Sequence, residues 1–140
     1  MEGMYRHSVV VPPEAIDANG HASNIWFVQW MQDAAVAHSK EVGCTRSTEA
    51  RGATWVVRTH GIEYFHPAFL NDAVTVLTWV ANCRKVRSMR KYRFLRESDE
   101  AVLAEGQTDW VFVDTKTGRP RMIPDDVISL FTLIPDAREP

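Results

Sequence analysis

A chain of 140 residues with 45% hydrophobic content is long enough to bury one core and too short for two, so a single domain spanning 1–140 is expected. Its 16 basic and 18 acidic residues leave a net charge of −2, which gives the whole chain no pull toward nucleic acid or an anionic membrane. The two cysteines, Cys44 and Cys83, have no motif spacing, the start MEGMYRHSVVV has no signal-peptide pattern, and no apolar run nears the roughly 18 residues of a membrane span. Reduced thiols in a soluble, cytoplasmic protein are the expectation.

Tyr5 to Val11 predicts a short strand, stopped by Pro12-Pro13, and a loop to Ile16 then delivers the chain to Asp17. The run from Asp17 to Val42 opens on a polar turn and passes without a break into the only long amphipathic helix. Apolar residues recur at Phe27, Trp30, Met31, Ala34, Ala35 and Val42, the three-and-four spacing of one buried stripe, with Trp26 and His38 beside it. Gln29, Gln32, Asp33, Lys40 and Glu41 take the other face. Ser23 or Asn24 is placed to cap the start, and Gly43 to end the helix in a left-handed conformation. Thr45 to Gly52 is expected as a polar connection without regular structure.

Four strands are predicted next. Ala53 to Phe65 carries Gly61 as a candidate bulge or point of close backbone approach and ends at His66-Pro67. Ala73 to Ala81, AVTVLTWVA, is apolar on both alternating faces, as suits a strand covered by the helix on one side and by something else, such as a second subunit, on the other. Arg87 to Arg96 and Ala101 to Asp114 follow, and Ile123 to Phe131 reads as a short helix with Pro124 near its start. The tail from Pro135 is expected to fray. Strand, helix and then four strands joined by short turns favour an antiparallel α+β sheet over a parallel βαβ fold.

The polar turn is the candidate chemical site. A carboxylate just before a helix N-terminus supplies a base or nucleophile, while unpaired N–H groups of the first turn are fixed donors for an oxyanion. Asp17 could equally be a turn residue bonding its own backbone. Asn19 either orients water or a carbonyl or forms the left-handed turn before Gly20, and His21 either positions Asp17 and acts as base or bonds a loop carbonyl. His7, His38, His60 and His66 form neither H-x-x-x-H nor H-E-x-x-H, so neither a metal nor any other cofactor is expected. Glu63 and His66 lie where a strand end could approach a partner's helix turn, or simply face solvent.

Between Arg84 and Arg96 stand seven basic residues and no acid. Such a run is ordinarily a solvated strand face that guards an edge. Guanidinium forks at a hairpin also suit phosphate, which makes Arg84, Lys85 and Arg87 candidates for binding a phosphorylated nucleotide. RNA is the rival ligand, but no recognisable RNP pattern of stacking aromatics accompanies the charges.

The run Asp17-Ala18-Asn19-Gly20-His21-Ala22-Ser23-Asn24, followed by aromatics at Phe27 and Trp30, resembles the D-x-x-G-H-x-x-N entry to the central helix of hotdog-fold thioesterases, in particular the 4-hydroxybenzoyl-CoA thioesterase and Tol–Pal-associated acyl-CoA thioesterase group. Glu63-Tyr64-Phe65-His66-Pro67-Ala68 with Asp72 is similar to the family's E-Y-x-x-P-A-x-x-x-D strand exit. Val111 to Asp114 with Arg119 to Pro124 looks like its final strand and short helix. The resemblance implies a curved antiparallel sheet wrapped around one long helix, joined sheets in a homodimer, sites at the subunit interface, and a further pairing into a tetramer. It also implies hydrolysis of an acyl-CoA, or of a thioester on acyl carrier protein. Asp17 then falls on the general base or nucleophile and Asn24 on the oxyanion-binding N–H, while Asn19 and His21 resemble the D-x-N-x-H arrangement of plant acyl-carrier-protein thioesterases. Phe27 stands where the family usually has tyrosine, so that hydroxyl has no role here. The alternatives are a hotdog module that binds acyl-CoA or acyl carrier protein without catalysis, and a hotdog dehydratase, for which the chain lacks a hydratase-type Asp and His pair.

Overall fold

A computed structural model describes residues 1–140. Strand β1 (Tyr5–Val10) leads through a 3-10 turn at Pro13–Ala15 into helix α1 (Asn24–Glu41), followed by α2 (Cys44–Ala50), β2 (Ala53–Tyr64), β3 (Ala73–Arg84), β4 (Arg87–Arg96), β5 (Val102–Asp114), α3 (Asp125–Ile128) and a last 3-10 turn at Asp136–Arg138. The five strands form one sheet in the order β1-β3-β4-β5-β2, and every neighbouring pair is antiparallel. No helix is long and apolar enough to cross a membrane.

Eighteen residues make α1 a rod of ~27 Å. It buries Phe27, Trp30, Met31, Ala34, Ala35 and His38 against the inner sheet face, where Val74, Val76, Tyr92, Phe94 and Ala104 complete the main core. The rod lies close to β5. A Cβ on Gly106 would stand 3.1 Å from Met31 Sδ and 3.2 Å from the Gly61 carbonyl oxygen, so a side chain there would press on α1 and β2. Gly61 itself has only ordinary contacts, and the bulge expected at Gly61 lies instead between Val57 and Thr59.

Three other expectations are corrected. The connection after α1 is helical from Cys44 to Ala50, because Cys44 and Thr48, one turn apart, face inward and the Trp55 indole N–H donates to Thr48 Oγ1 at 3.2 Å. The outer face of β3 is covered by the chain's own C-terminus rather than by a second subunit: Ile134 packs on Leu77 and Trp79, and its N–H donates to the Val80 carbonyl at 2.9 Å. The tail is therefore not frayed. Lys91 reaches Asp136 at 2.7 Å and Glu139 at 3.0 Å, which holds the last turn against β4.

Strand β2 is an edge. Its partner β5 takes one side, and the other side carries unpaired backbone together with exposed Val56 and Val57. Ile25 and Val36, on α1, are exposed as well.

Candidate active site

The turn before α1 is fixed from both ends. Ile16 and Ala22 form an isolated antiparallel bridge, the Asp17 N–H donates to the His21 carbonyl at 3.1 Å, and the Gly20 N–H returns to the Asp17 carbonyl at 3.0 Å. Closing so tight a loop needs a left-handed residue, and Gly20 takes φ 83°. The Ala22 N–H donates to Ala68 and the Ser23 N–H to Ala15, which ties the turn to the loops on either side. Asp17 is exposed, and its Oδ1 accepts the Asn19 N–H at 2.9 Å. Oδ2 has no protein partner. The turn-forming role and a free carboxylate oxygen thus coexist in one residue.

Ser23 is the N-cap by geometry, with extended φ −71° and ψ 156°, but its hydroxyl makes no capping hydrogen bond. The Trp26 N–H donates to the Ser23 carbonyl at 3.1 Å, which leaves the N–H groups of Asn24 and Ile25 without an acceptor in the chain. A helix start whose first amides are left open is a preformed anion site, because the donors are already aligned and the macrodipole adds to them.

Asp17, Asn19, His21, Asn24 and Phe27 line one open cleft of ≈ 410 Å³, closed on the far side by Tyr64, Phe65, His66 and Pro67. Of the residues singled out by sequence, the turn set and His66 therefore meet. Glu63 does not: it is exposed, opposite Glu105 in the β2–β5 ladder, on the face of β2 away from the cleft. The half-buried His21 ring meets Phe69 edge-on with centroids 6.3 Å apart. Tyr64 was missing from the predicted set, although strand alternation puts it opposite in facing to Glu63. Its ring stands perpendicular to Phe27, 5.3 Å between centroids, and its hydroxyl lies 3.5 Å from the Asn24 carbonyl oxygen. Partial burial raises the Tyr64 hydroxyl above the usual tyrosine range.

The basic run is divided by the pleat. Arg87 places its guanidinium on buried Asp109, with Nε donating to Oδ1 at 3.2 Å, and Arg58 approaches the same carboxylate at 3.5 Å. Arg93 pairs with Glu105, and Arg96 with Asp72 and Asp99. Arg84 and Lys85 remain exposed at the β3–β4 hairpin without acidic partners, at the end of the sheet where β2 begins and the Asp17 cleft does not lie.

The sequence model of the thioesterase-like superfamily matches residues 11–131. The chain belongs to that superfamily. Its sheet wrapped around one long helix is the hotdog fold of the family's thioesterases. The acyl-CoA thioester hydrolase YbgC of Escherichia coli is 26% identical over 131 residues, which cover 91% of this chain and 96% of that protein. Among solved structures, Slr0204, a 1,4-dihydroxy-2-naphthoyl-CoA thioesterase from Synechocystis, superposes with a TM-score of 0.82 at 16% identity, over 91% of this chain and 95% of its own. A DHNA-CoA thioesterase from Staphylococcus aureus gives 0.81 at 20% identity, over 90% and 89%.

Proposed function

We propose that residues 1–140 act as one hotdog thioesterase domain that hydrolyses an acyl-CoA to the free acid and coenzyme A. The observation that carries this reading is the cleft itself, where a carboxylate with a free oxygen and a helix-start amide with no acceptor line the same opening. Asp17 activates a water molecule, or attacks, at the thioester carbonyl carbon. The carbonyl oxygen takes the negative charge and accepts the N–H of Asn24, with that of Ile25 adjacent. Collapse breaks the C–S bond and the sulfur leaves as thiolate; where Asp17 itself attacked, water then cleaves the anhydride, and in either course the proton taken from water passes to the thiolate or to solvent. A thiol of pKa about 8.5 is a good enough leaving group that no strong general acid is required. Asn19 and His21 border the attacking position, and Tyr64 and His66 face it across the cleft.

Two copies joined along their β2 edges complete the site. Strand β2 offers unpaired backbone and exposed valines, and exposed Ile25 and Val36 give α1 an apolar flank for the partner's helix. A two-fold axis through the middle of β2 lays Ala53–Trp55 of one copy beside Ile62–Tyr64 of the other. The start of β2 in one protomer thereby meets the Asp17 cleft of its partner. Arg84 and Lys85, at that same end of the sheet, then lie near the partner's cleft and are available to the phosphates of coenzyme A.

Thiol release measured across acyl-CoAs of different length and aromaticity, with acyl carrier protein thioesters alongside, tests the reading. Turnover of at least one thioester is expected. Saturable binding of acyl-CoA or acyl carrier protein with no thiol released from any of them would instead identify a non-catalytic binding module.

A further inference from the structure

Arg90 occupies an unusual place for a cation. Within β4 it shares the inward face with Ser88, Tyr92 and Phe94, and it is 5% exposed. Its Nη1 donates to His38 Nδ1 at 2.9 Å and to Thr78 Oγ1 at 3.1 Å, and the guanidinium carbon lies 5.6 Å from the centre of the Phe131 ring. Both acceptors are neutral. No carboxylate comes within salt-bridge distance, and Nε and Nη2 have no acceptor in the chain. Asp109, the one buried carboxylate, is held by Arg87 and Arg58. A buried charge without a counter-charge costs several kcal/mol, so the guanidinium is a favourable partner for an anion arriving from outside.

There is room for one. Arg90 lines a mostly apolar hollow of ≈ 230 Å³ beneath the C-terminal half of α1, walled by Ala35, Cys44, Trp55, Val80 and Phe131. Trp110 lines it too, its indole N–H buried without an acceptor. The start of β2, Ala53 to Trp55, forms part of the wall, and pairing of β2 edges sets that segment against the partner's Asp17 cleft. In that pairing the hollow of one protomer would adjoin the cleft of the other.

We propose that this hollow receives the far end of the acyl chain and that Arg90 pairs with a carboxylate there, so that the preferred substrates are ω-carboxyacyl thioesters. This rests on the thioesterase reading and on the β2 pairing above. A hollow of ≈ 230 Å³ has room for the end of a short chain, such as the carboxylate and neighbouring methylenes of an adipoyl group.

The test compares kcat/KM for adipoyl-CoA and hexanoyl-CoA, equal in chain length, in the wild type and in Arg90→Met. A charge-assisted pair in a buried site predicts a wild-type preference for adipoyl-CoA of about ten- to a hundredfold. Arg90→Met is expected to lower the adipoyl-to-hexanoyl ratio at least about tenfold, chiefly through KM for adipoyl-CoA. Without ligand it should melt at or above the wild-type temperature, since it removes an uncompensated buried charge. A second arm needs no turnover: free hexanoate, but not hexanol, should raise the melting temperature of the wild type and leave that of Arg90→Met unmoved. Cleavage of both thioesters with a ratio that does not depend on residue 90 overturns the inference and leaves the thioesterase reading standing. Hexanoate stabilisation that depends on Arg90, with no acyl-CoA cleaved, does the reverse.

Discussion

His38 packs on the inner side of α1 between the Tyr5 and Phe131 rings, and burial, reinforced by the Arg90 cation, pushes its pKa from 6.5 down to about 3. Above pH 6.5 the ring is neutral in both folded and unfolded chains, and no penalty arises. Below it, the unfolded chain takes up a proton that the folded chain refuses, so stability falls continuously from pH 6.5 down to about 3. At about 1.36 kcal/mol per pH unit, moving from pH 7 to pH 5 removes about 2 kcal/mol through this one residue. In a domain of this size that lowers Tm by roughly 4–8 °C. Thermal unfolding of wild type and His38→Gln across pH 5–7.5 isolates the effect, because the other histidines and the carboxylates contribute equally to both. Glutamine keeps an acceptor for Arg90 and has nothing to titrate. The wild-type Tm should therefore fall more steeply with acid than that of the variant, by about the amount above. Parallel curves would mean instead that His38 is protonated as readily folded as unfolded.

Gly106→Ala should destabilise by about 1–3 kcal/mol, because its Cβ meets the Met31 thioether and the Gly61 carbonyl; chemical denaturation checks this, and a neutral outcome would mean that α1 does not press on β5 there. Introducing Val56→Lys with Val57→Lys should convert dimers to monomers in sedimentation and abolish turnover together, while an active monomer would refute a site shared between β2 edges. Arg84→Ala with Lys85→Ala should raise KM for acyl-CoA several-fold at unchanged Tm. Arg87→Ala should instead lower Tm by leaving buried Asp109 short of its main partner; equal KM effects from both variants would contradict that division.

The central helix and the succession of strands along the chain were legible because one periodicity dominates each: α1 repeats at three and four residues, and β3 is largely apolar on both faces. The sheet order, which sets β2 beside β5, was not legible. Helix α2 was not, since its seven residues, CTRSTEA, show only Cys44 and Thr48 to the core and carry no stripe. The basic run misled for a related reason. Counted as charge it is a solvated face, whereas counted by alternation Arg90 has the parity of Tyr92 and Phe94, and that was the available signal that it points inward. In the turn, residue types identified Asp17, Asn19, His21 and Asn24 as neighbours. That the Ser23 hydroxyl leaves the helix amides open depends on its side-chain torsion, which no spacing encodes. The C-terminal cover over Trp79 was equally hidden, because the short apolar run Leu130 to Ile134 carries no period that says which face of the sheet it reaches.

The most direct test of the catalytic assignment is single-substrate turnover by Asp17→Asn, a change that preserves size and the acceptor for the Asn19 N–H. Native folding, KM for acyl-CoA within a few-fold of wild type, and kcat reduced by about 10²–10⁴ are expected. A folded Asp17→Asn enzyme releasing coenzyme A at the wild-type rate would contradict that assignment.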